Sequence, residues 1–136
     1  MEKEYTLGLY EKAMPERLSW KEKLEAAKAA GFDFVEVSID ETDEKLSRLD
    51  MSQAERMEML NLMRIVGIPI RTMCLSGHRK YPLGSHEEKI RQKSMEIMKK
   101  AFSLQMILVS ALSSWRAMMS IMKNQMRYPE IILSGI

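Results

Sequence analysis

The sequence predicts an α/β domain in which short strands and amphipathic helices alternate along the chain. Three observations carry this prediction: the alternation repeats three times, each helix follows a Ser-x-x-Glu capping signal, and glycine follows two of the helices. Parallel strands joined by helical crossovers are the architecture typical of such alternation. An open doubly wound sheet and a closed barrel share the pattern, so the alternation alone leaves both open.

Composition narrows the classes of function. The chain has 136 residues, of which 46% are hydrophobic and 29% charged, as expected of one soluble domain. The formal net charge is only +2, whereas nucleic-acid binders usually carry a large excess of basic residues, so no nucleic-acid partner is expected. No apolar run reaches the roughly 20 residues that span a bilayer, so no membrane partner is expected either. A lone Cys74 and the lack of a signal-peptide pattern predict a cytoplasmic location.

The first unit consists of a short strand and one helix. Residues 6–10 have strand character, and Ser19 and Glu22 then form a predicted capping box. The helix that follows extends to Ala30. Its predicted buried side consists of Leu18, Leu24, Ala27 and Ala30.

The second unit begins with a strand over residues 32–39, in which bulky β-forming residues surround one charged residue, Glu36. The acidic residues 40–44 follow. We interpret them as a solvated loop whose first member, Asp40, faces a pocket at the strand end. The third strand is predicted over residues 70–75.

Two more helices are predicted from capping boxes and their glycine stops. Ser52 opens the second helix, which Gly67 ends, as Gly31 ends the first, because glycine tolerates the left-handed conformation at a helix end. Ser85 opens the third helix, which runs through Ala101. No Gly-x-Gly-x-x-Gly follows the first strand and no Walker motif is present, so nucleotide binding loses its usual support.

Residues 105–136 differ in composition from the rest of the chain. Residues 1–104 hold 18 of the 19 acidic residues, and Glu130 alone is acidic in this tail. One interpretation is a basic amphipathic helix for a membrane surface or partner groove, but no capping signal begins such a helix. Another is core packing, although no strand follows the third helix. The tail also carries five methionines: Met106, Met118, Met119, Met122 and Met126.

Five segments of residues 1–104 carry a family resemblance. They are LYEKA at 9–13, GFDFVE at 31–36, SIDETDE at 38–44, LSRLD at 46–50 and MCLSGHR at 73–79. The chain resembles the L-ribulose-5-phosphate 3-epimerases, also called L-xylulose-5-phosphate 3-epimerases, of bacterial L-ascorbate and related pentose catabolism. The resemblance implies a xylose isomerase-like (β/α)8 TIM barrel, of which residues 1–104 supply three βα units, an incomplete domain.

The resemblance runs from residue 7 to about residue 104 and then ends inside one helix. This abrupt end favours a third interpretation of the tail, a shift of reading frame. Restoring one base before codon 105, with free choice of synonymous codons, allows a fourth strand, IRTIQLAG, followed by a Tyr-rich loop. Residues 105–136 are therefore expected to be an out-of-frame translation rather than a family segment.

The chemistry implied by the resemblance is epimerisation at C3 of a pentulose phosphate. A proton leaves one face of the carbon and returns on the other, while one divalent metal polarises the neighbouring carbonyl and stabilises an enediolate. The acid/base glutamates and the metal ligands come from later strands of the family's barrel and have no counterpart here. This chain is therefore expected to bind no metal and to have no catalytic residue and no turnover.

Four residues remain as candidates for substrate contact, because barrel sites form at the carboxyl ends of strands. By resemblance, Tyr10, Cys74 and His78 lie against the sugar; the alternatives are a packed aromatic, a small buried residue and a histidine bonded to a loop carbonyl. Glu36 is costly to bury unpaired, so it predicts a pocket or an ion pair.

A non-catalytic interaction module, with the Met-rich tail as its contact surface, is the rival function from another class. Open sheet edges also predict self-association.

Overall fold

The computed structural model describes the backbone of residues 3–127 and the side chains of residues 3–109. The three strands are β1 (Gly8–Tyr10), β2 (Phe34–Ile39) and β3 (Ile70–Leu75). They form one parallel sheet in the order β1-β2-β3, with a register irregularity between Val35 and Glu36. The predicted α/β class and the three βα units are confirmed.

Four helices connect and follow the strands. They are α1 (Trp20–Ala29), α2 (Asp43–Ser47), α3 (Gln53–Val66) and α4 (Glu88–Arg127). Single turns of 3-10 helix follow β1 at Glu11–Ala13, α2 at Arg48–Asp50 and β3 at Gly77–Arg79. None of the helices within the described residues is long and apolar enough to cross a membrane.

Two of the three predicted capping boxes form. The hydroxyl of Ser19 accepts a hydrogen bond from the Glu22 amide, and the Glu22 carboxylate accepts one from the Ser19 amide. Ser52 and Glu55 repeat this arrangement at the start of α3. The prediction of a third capping box, at Ser85 and Glu88, is wrong. Ser85 Oγ accepts a hydrogen bond from the Glu87 amide, and α4 begins only at Glu88.

Four other predictions need correction. The first two strands begin two residues later than expected, at Gly8 and Phe34. Ala30 is exposed rather than buried, because it caps α1 beyond the last residue that packs. The acidic loop is not wholly solvated: its later residues form α2, which Thr42 caps by accepting the Lys45 amide hydrogen, and Asp40 is buried. These short elements lack the periodicity that sequence patterns detect.

The apolar core lies between one face of the sheet and the helices. Because side chains alternate along a strand, Val35, Val37 and Ile39 of β2 face this core and are buried. Leu24 and Ala27 of α1 and Met59, Met63 and Val66 of α3 pack against them. The opposite face, here called the inner face, carries Tyr10, Glu36, Ser38, Thr72 and Cys74 by the same alternation and by strand register.

Helix α4 passes residue 104 without a break. Leu104 and Leu108, on either side of the expected boundary, are both buried in the core. The Gln105 side chain donates a hydrogen bond to the Arg71 carbonyl of β3 over 2.9 Å. The beginning of the tail is therefore helical and packed, and it needs no capping signal because α4 is already formed. The predicted contact residues Met118, Met119, Met122 and Met126 lie outside the described side chains.

Candidate functional site

The candidate site lies where the three strands end, because parallel strands place their carboxyl ends at one edge of a sheet. Tyr10 is the last residue of β1 and Cys74 the penultimate residue of β3. Glu36 lies in the middle of β2, and His78 in the turn after β3. The structure therefore places three candidates on the inner face and the fourth in the loop beyond it.

Tyr10 is half-buried and contacts the neighbouring strand. Its hydroxyl donates a hydrogen bond to Ser38 Oγ over 3.2 Å. Ser38 is fully buried, and its register partner on β3 is Cys74. Tyr10, Ser38 and Cys74 therefore lie near one another at the strand ends of the inner face, although the register partner of Tyr10 itself is Glu36.

Glu36 lies two residues before Ser38, on the same face of β2. It is half-buried, is the register partner of Tyr10 on β1 and of Thr72 on β3, and accepts a hydrogen bond from Thr72 Oγ1 over 3.1 Å. No cation within the described side chains pairs with it. Of the two roles predicted for this carboxylate, the inner-face position favours a pocket over an ion pair.

Cys74 carries a free thiol that is half-buried. Because it faces the same side as Ser38, its sulfur points to the inner face rather than to the helix core. Its position agrees with a residue lining a pocket, and equally with the small packed residue that the sequence left as the alternative.

His78 is oriented by two oxygen atoms. Its Nδ1 lies 2.8 Å from Ser94 Oγ of α4 and 3.3 Å from the Tyr81 carbonyl. The bond to a loop carbonyl is the alternative stated for this residue, and it is present. The other ring nitrogen, Nε2, is buried and has no partner within the described residues, so it retains a hydrogen-bonding position.

Asp40 fixes the loop that follows β2. Its carboxylate lies 2.7 Å from Lys12 Nζ and accepts hydrogen bonds from the Thr42 hydroxyl and amide. Burial raises the pKa of Asp40, but the bonds from Lys12 and Thr42 outweigh burial and lower that pKa to about 2. Asp40 is therefore ionised near neutral pH, and both of its oxygens are engaged at the rim.

A buried charge cluster lies behind the strand ends, centred on Glu11. Its carboxylate is 1% exposed and accepts hydrogen bonds from Lys23, Lys45 and Arg48 at 2.7–2.9 Å, and from the Ser38 amide. Burial raises the pKa of Glu11, but these donors lower it far below its usual range. The cluster joins β1, α1 and the segment after β2, and so holds the loops of the candidate site together.

Sequence patterns missed this cluster. The three cations lie 12, 34 and 37 residues from Glu11, on three separate elements, so no local spacing marks them. The ammonium groups of Lys23 and Lys45 both reach inward to this one carboxylate. The usable signal was Glu11 itself, an acidic residue directly after a strand in a segment shared with the family.

The described residues do not fit a metal site. Within the part of the chain whose side chains are described, no three His, Cys, Asp or Glu side chains lie together in a way that could hold an ion. The side chains that could act as ligands have other partners. Glu36 accepts a hydrogen bond from Thr72, Asp40 contacts Lys12 and Thr42, and Nδ1 of His78 contacts Ser94.

Comparison with known proteins agrees with this geometry. Residues 24–105 match the model of the xylose isomerase-like TIM barrel family, which is more than half of the chain. The chain belongs to this family. Its three parallel βα units are an incomplete set of the eight in a TIM barrel.

Individual relatives in this TIM barrel family are similar over the same region. SgbU of Escherichia coli strain K12 is 53% identical over 100 residues, covering 74% of this chain and 35% of that protein. The L-ribulose-5-phosphate 3-epimerase UlaE of Shigella boydii serotype 18 is 50% identical over 101 residues, covering 74% and 36%. UlaE of the Crooks strain of Escherichia coli gives the same values. The chain thus spans about a third of the length of these relatives.

Proposed function

We propose that residues 1–104 are the amino-terminal three βα units of a 3-epimerase acting on L-ribulose 5-phosphate and L-xylulose 5-phosphate. The observation that carries the proposal is 50% identity to the epimerase UlaE over 101 residues, which is 74% of this chain. The inner-face positions of Tyr10, Ser38 and Cys74 near the strand ends support it, because barrel enzymes build their sites at this end of the strands.

In this proposal the three strand ends form one wall of a pentulose phosphate pocket. The Tyr10 hydroxyl supplies a hydrogen bond to a sugar hydroxyl group, and Cys74 supplies a small surface beside the sugar. His78, whose Nε2 is buried, holds the loop after β3 at the rim of the pocket through its Nδ1 contacts with Ser94 and Tyr81. Glu36 lies deeper and orders Thr72. The buried ion pairs of Glu11 and the partly exposed pair of Lys12 with Asp40 hold the loops so that the wall keeps its shape.

We propose further that the 136-residue chain alone has no epimerase turnover. The family resemblance assigns the acid/base glutamates and the metal ligands to later strands, and the described residues contain no group that could hold a metal ion. The purified chain, assayed with each sugar phosphate and with Mn²⁺, Mg²⁺ or Zn²⁺ beside UlaE, should give no product. Metal-dependent turnover by the chain would overturn this part.

A chimera tests the wall itself. Residues 1–104 of this chain replace the matching part of UlaE, and the chimera is assayed for epimerisation. Activity within about tenfold of UlaE is expected. Introducing Tyr10→Phe into the chimera should raise KM several-fold, whereas Tyr5→Phe, at an exposed tyrosine before β1, should leave KM unchanged. A folded but inactive chimera would contradict the proposal.

Residues 105–136 are proposed to be translated out of frame. The supporting observation is that the family match ends at residue 105, inside α4. Sequencing the gene across codons 104–106, with that of close relatives, tests this. A restored base should extend the match through a fourth strand, whereas the same tail encoded in frame in close relatives would overturn the proposal.

A further inference from the structure

We propose that copies of this chain associate head to tail, with β1 of one copy pairing in parallel beside β3 of the next, beneath α4. The proposal rests on two open sheet edges and on an apolar groove beside one of them. It is independent of the epimerase assignment.

Both outer strands have an edge that pairs with no other strand within the described residues, although the Arg71 carbonyl on the open side of β3 accepts a hydrogen bond from the Gln105 side chain of α4. β1 and β3 each pair only with β2. The Ser76 amide donates to the Ile39 carbonyl of β2, so the alternation of backbone groups points the amides of Met73 and Leu75 toward the open side. An open row of backbone groups is a template for another strand.

A groove runs along this edge of β3, under α4. It has a volume of about 340 Å³ and is lined mainly by Thr72, Met73, Leu75, Met98, Ala101 and Phe102. Phe102 is 64% exposed, although it lines this apolar groove. A strand placed beside β3 would cover this side chain with its own helix-facing residues.

Phe102, which lines the groove, also belongs to a row of exposed apolar side chains on α4. Met95, Phe102, Met106 and Val109 are all exposed, at spacings of seven, four and three residues that place them on one side of the helix. A row of this kind on a surface helix indicates a missing partner rather than a solvated face. Its length suits a strand together with the residues that precede it.

The occupant that fits is β1 of a second copy. All three strands are parallel, so an added β1 continues the sheet in the same direction and with the same twist. A twofold contact between two β3 edges would instead create an antiparallel pair in a parallel sheet.

Side chains near the two edges are also complementary. The segment before β1 exposes Tyr5 and Leu7, which would meet the apolar row of α4. Exposed Glu4 lies before β1, and exposed Arg71 lies at the amino end of β3, so opposite charges would face each other. Because each copy offers one edge of each kind, a head-to-tail pair still leaves one open edge at each end, so the assembly adds further copies until it closes into a ring or continues as an open chain.

Three variants test this contact by sedimentation velocity over a hundredfold range of concentration. Phe102→Glu blocks the α4 side and Leu7→Glu blocks the β1 side. Ile65→Glu is the matched control, because Ile65 is 68% exposed on α3, away from the groove. Circular dichroism checks that each variant keeps the helix content of the parent chain.

The parent chain and Ile65→Glu should grow beyond dimers as concentration rises, whereas Phe102→Glu and Leu7→Glu should each stay monomeric. An equimolar mixture of these two variants should form dimers and nothing larger, because one intact edge of each kind remains. A monomeric parent chain would overturn the proposal. So would loss of association in Phe102→Glu alone, which indicates a twofold contact between α4 helices, or an equal effect of Ile65→Glu.

Discussion

Arg48 and Glu11 form a two-pronged buried ion pair, in which Nη1 donates to Oε2 and Nη2 to Oε1, each over 2.7 Å. Arg48 Nη1 also donates to the Ser38 carbonyl over 3.0 Å, and its guanidinium lies 5.0 Å from the centre of the Trp20 ring. One arginine thus ties the segment after β2 to β1 and to the start of α1. Two parallel hydrogen bonds between a guanidinium and a carboxylate fix the orientation of both side chains as well as neutralising their charges.

Glu11→Gln should destabilise the chain strongly. Three buried or half-buried cations share this carboxylate, and its loss leaves them without a counter-charge, at a cost of about 3 kcal/mol or more. The free energy of unfolding, measured by urea denaturation on dilute samples, should fall by this order. Glu25→Gln is the control: its exposed pair with Lys21 should contribute at most about 0.5 kcal/mol. Equal effects of the two substitutions would show that the cluster does not stabilise the fold.

Stability should fall in acid. Glu11 and Asp40 both have a folded-state pKa below the ordinary values of 4.5 and 3.8, so the unfolded chain binds more protons than the folded chain as pH drops. Their contribution is fully present above about pH 5. It is lost as pH falls through 4.5 and on toward 2.

Urea midpoints measured between pH 7 and pH 3 check this dependence. The midpoint should be level down to about pH 5 and then decline. In Glu11→Gln the decline should be shallower, because the most strongly buried of the carboxyls with a lowered pKa is gone. A parent chain whose midpoint does not change down to pH 3 would contradict the assigned direction of the pKa shifts.

Local patterns predicted the elements whose signals are local. β3 occupies residues 70–75 as expected, and Gly31 and Gly67 both adopt positive φ at helix ends. Tyr10, Cys74 and His78 were predicted from the family resemblance at strand ends, and Glu36 from a single charge among apolar strand residues; strand alternation and register then decide which of them share a face. Tyr10, Glu36 and Cys74 share the inner face for this reason.

Long-range relationships escaped the same patterns. The partners of Glu11 come from elements far apart in the chain, and only the folded arrangement of α1 and α2 brings them to one carboxylate. The ring of His78 is oriented by Ser94, sixteen residues away on α4. The continuation of α4 past residue 104 depends on packing of Leu104 and Leu108, which composition does not reveal.

Ser52→Ala should cost about 1 kcal/mol, because the N-cap hydroxyl satisfies a free amide of α3. Ser85 has the same sequence pattern but does not form a box with Glu88, so Ser85→Ala should cost clearly less. Thermal or urea unfolding of both variants measures the difference. If the two substitutions cost the same, the reciprocal box at Ser52 adds nothing beyond one serine hydroxyl.

Gly67→Ala should destabilise the chain by about 1 kcal/mol, because Gly67 has φ of 83° and a Cβ is disfavoured in the left-handed region. The added Cβ would also lie 2.8 Å from Lys28 Nζ, which donates a hydrogen bond to the Val66 carbonyl at the end of α3. Gly84→Ala is the matched control: its φ is not positive and its surroundings are open, so alanine should be neutral or slightly stabilising there. Urea denaturation of both variants decides the matter, and equal stability of Gly67→Ala and the parent chain would mean that the backbone at this helix end relaxes to an ordinary conformation without cost.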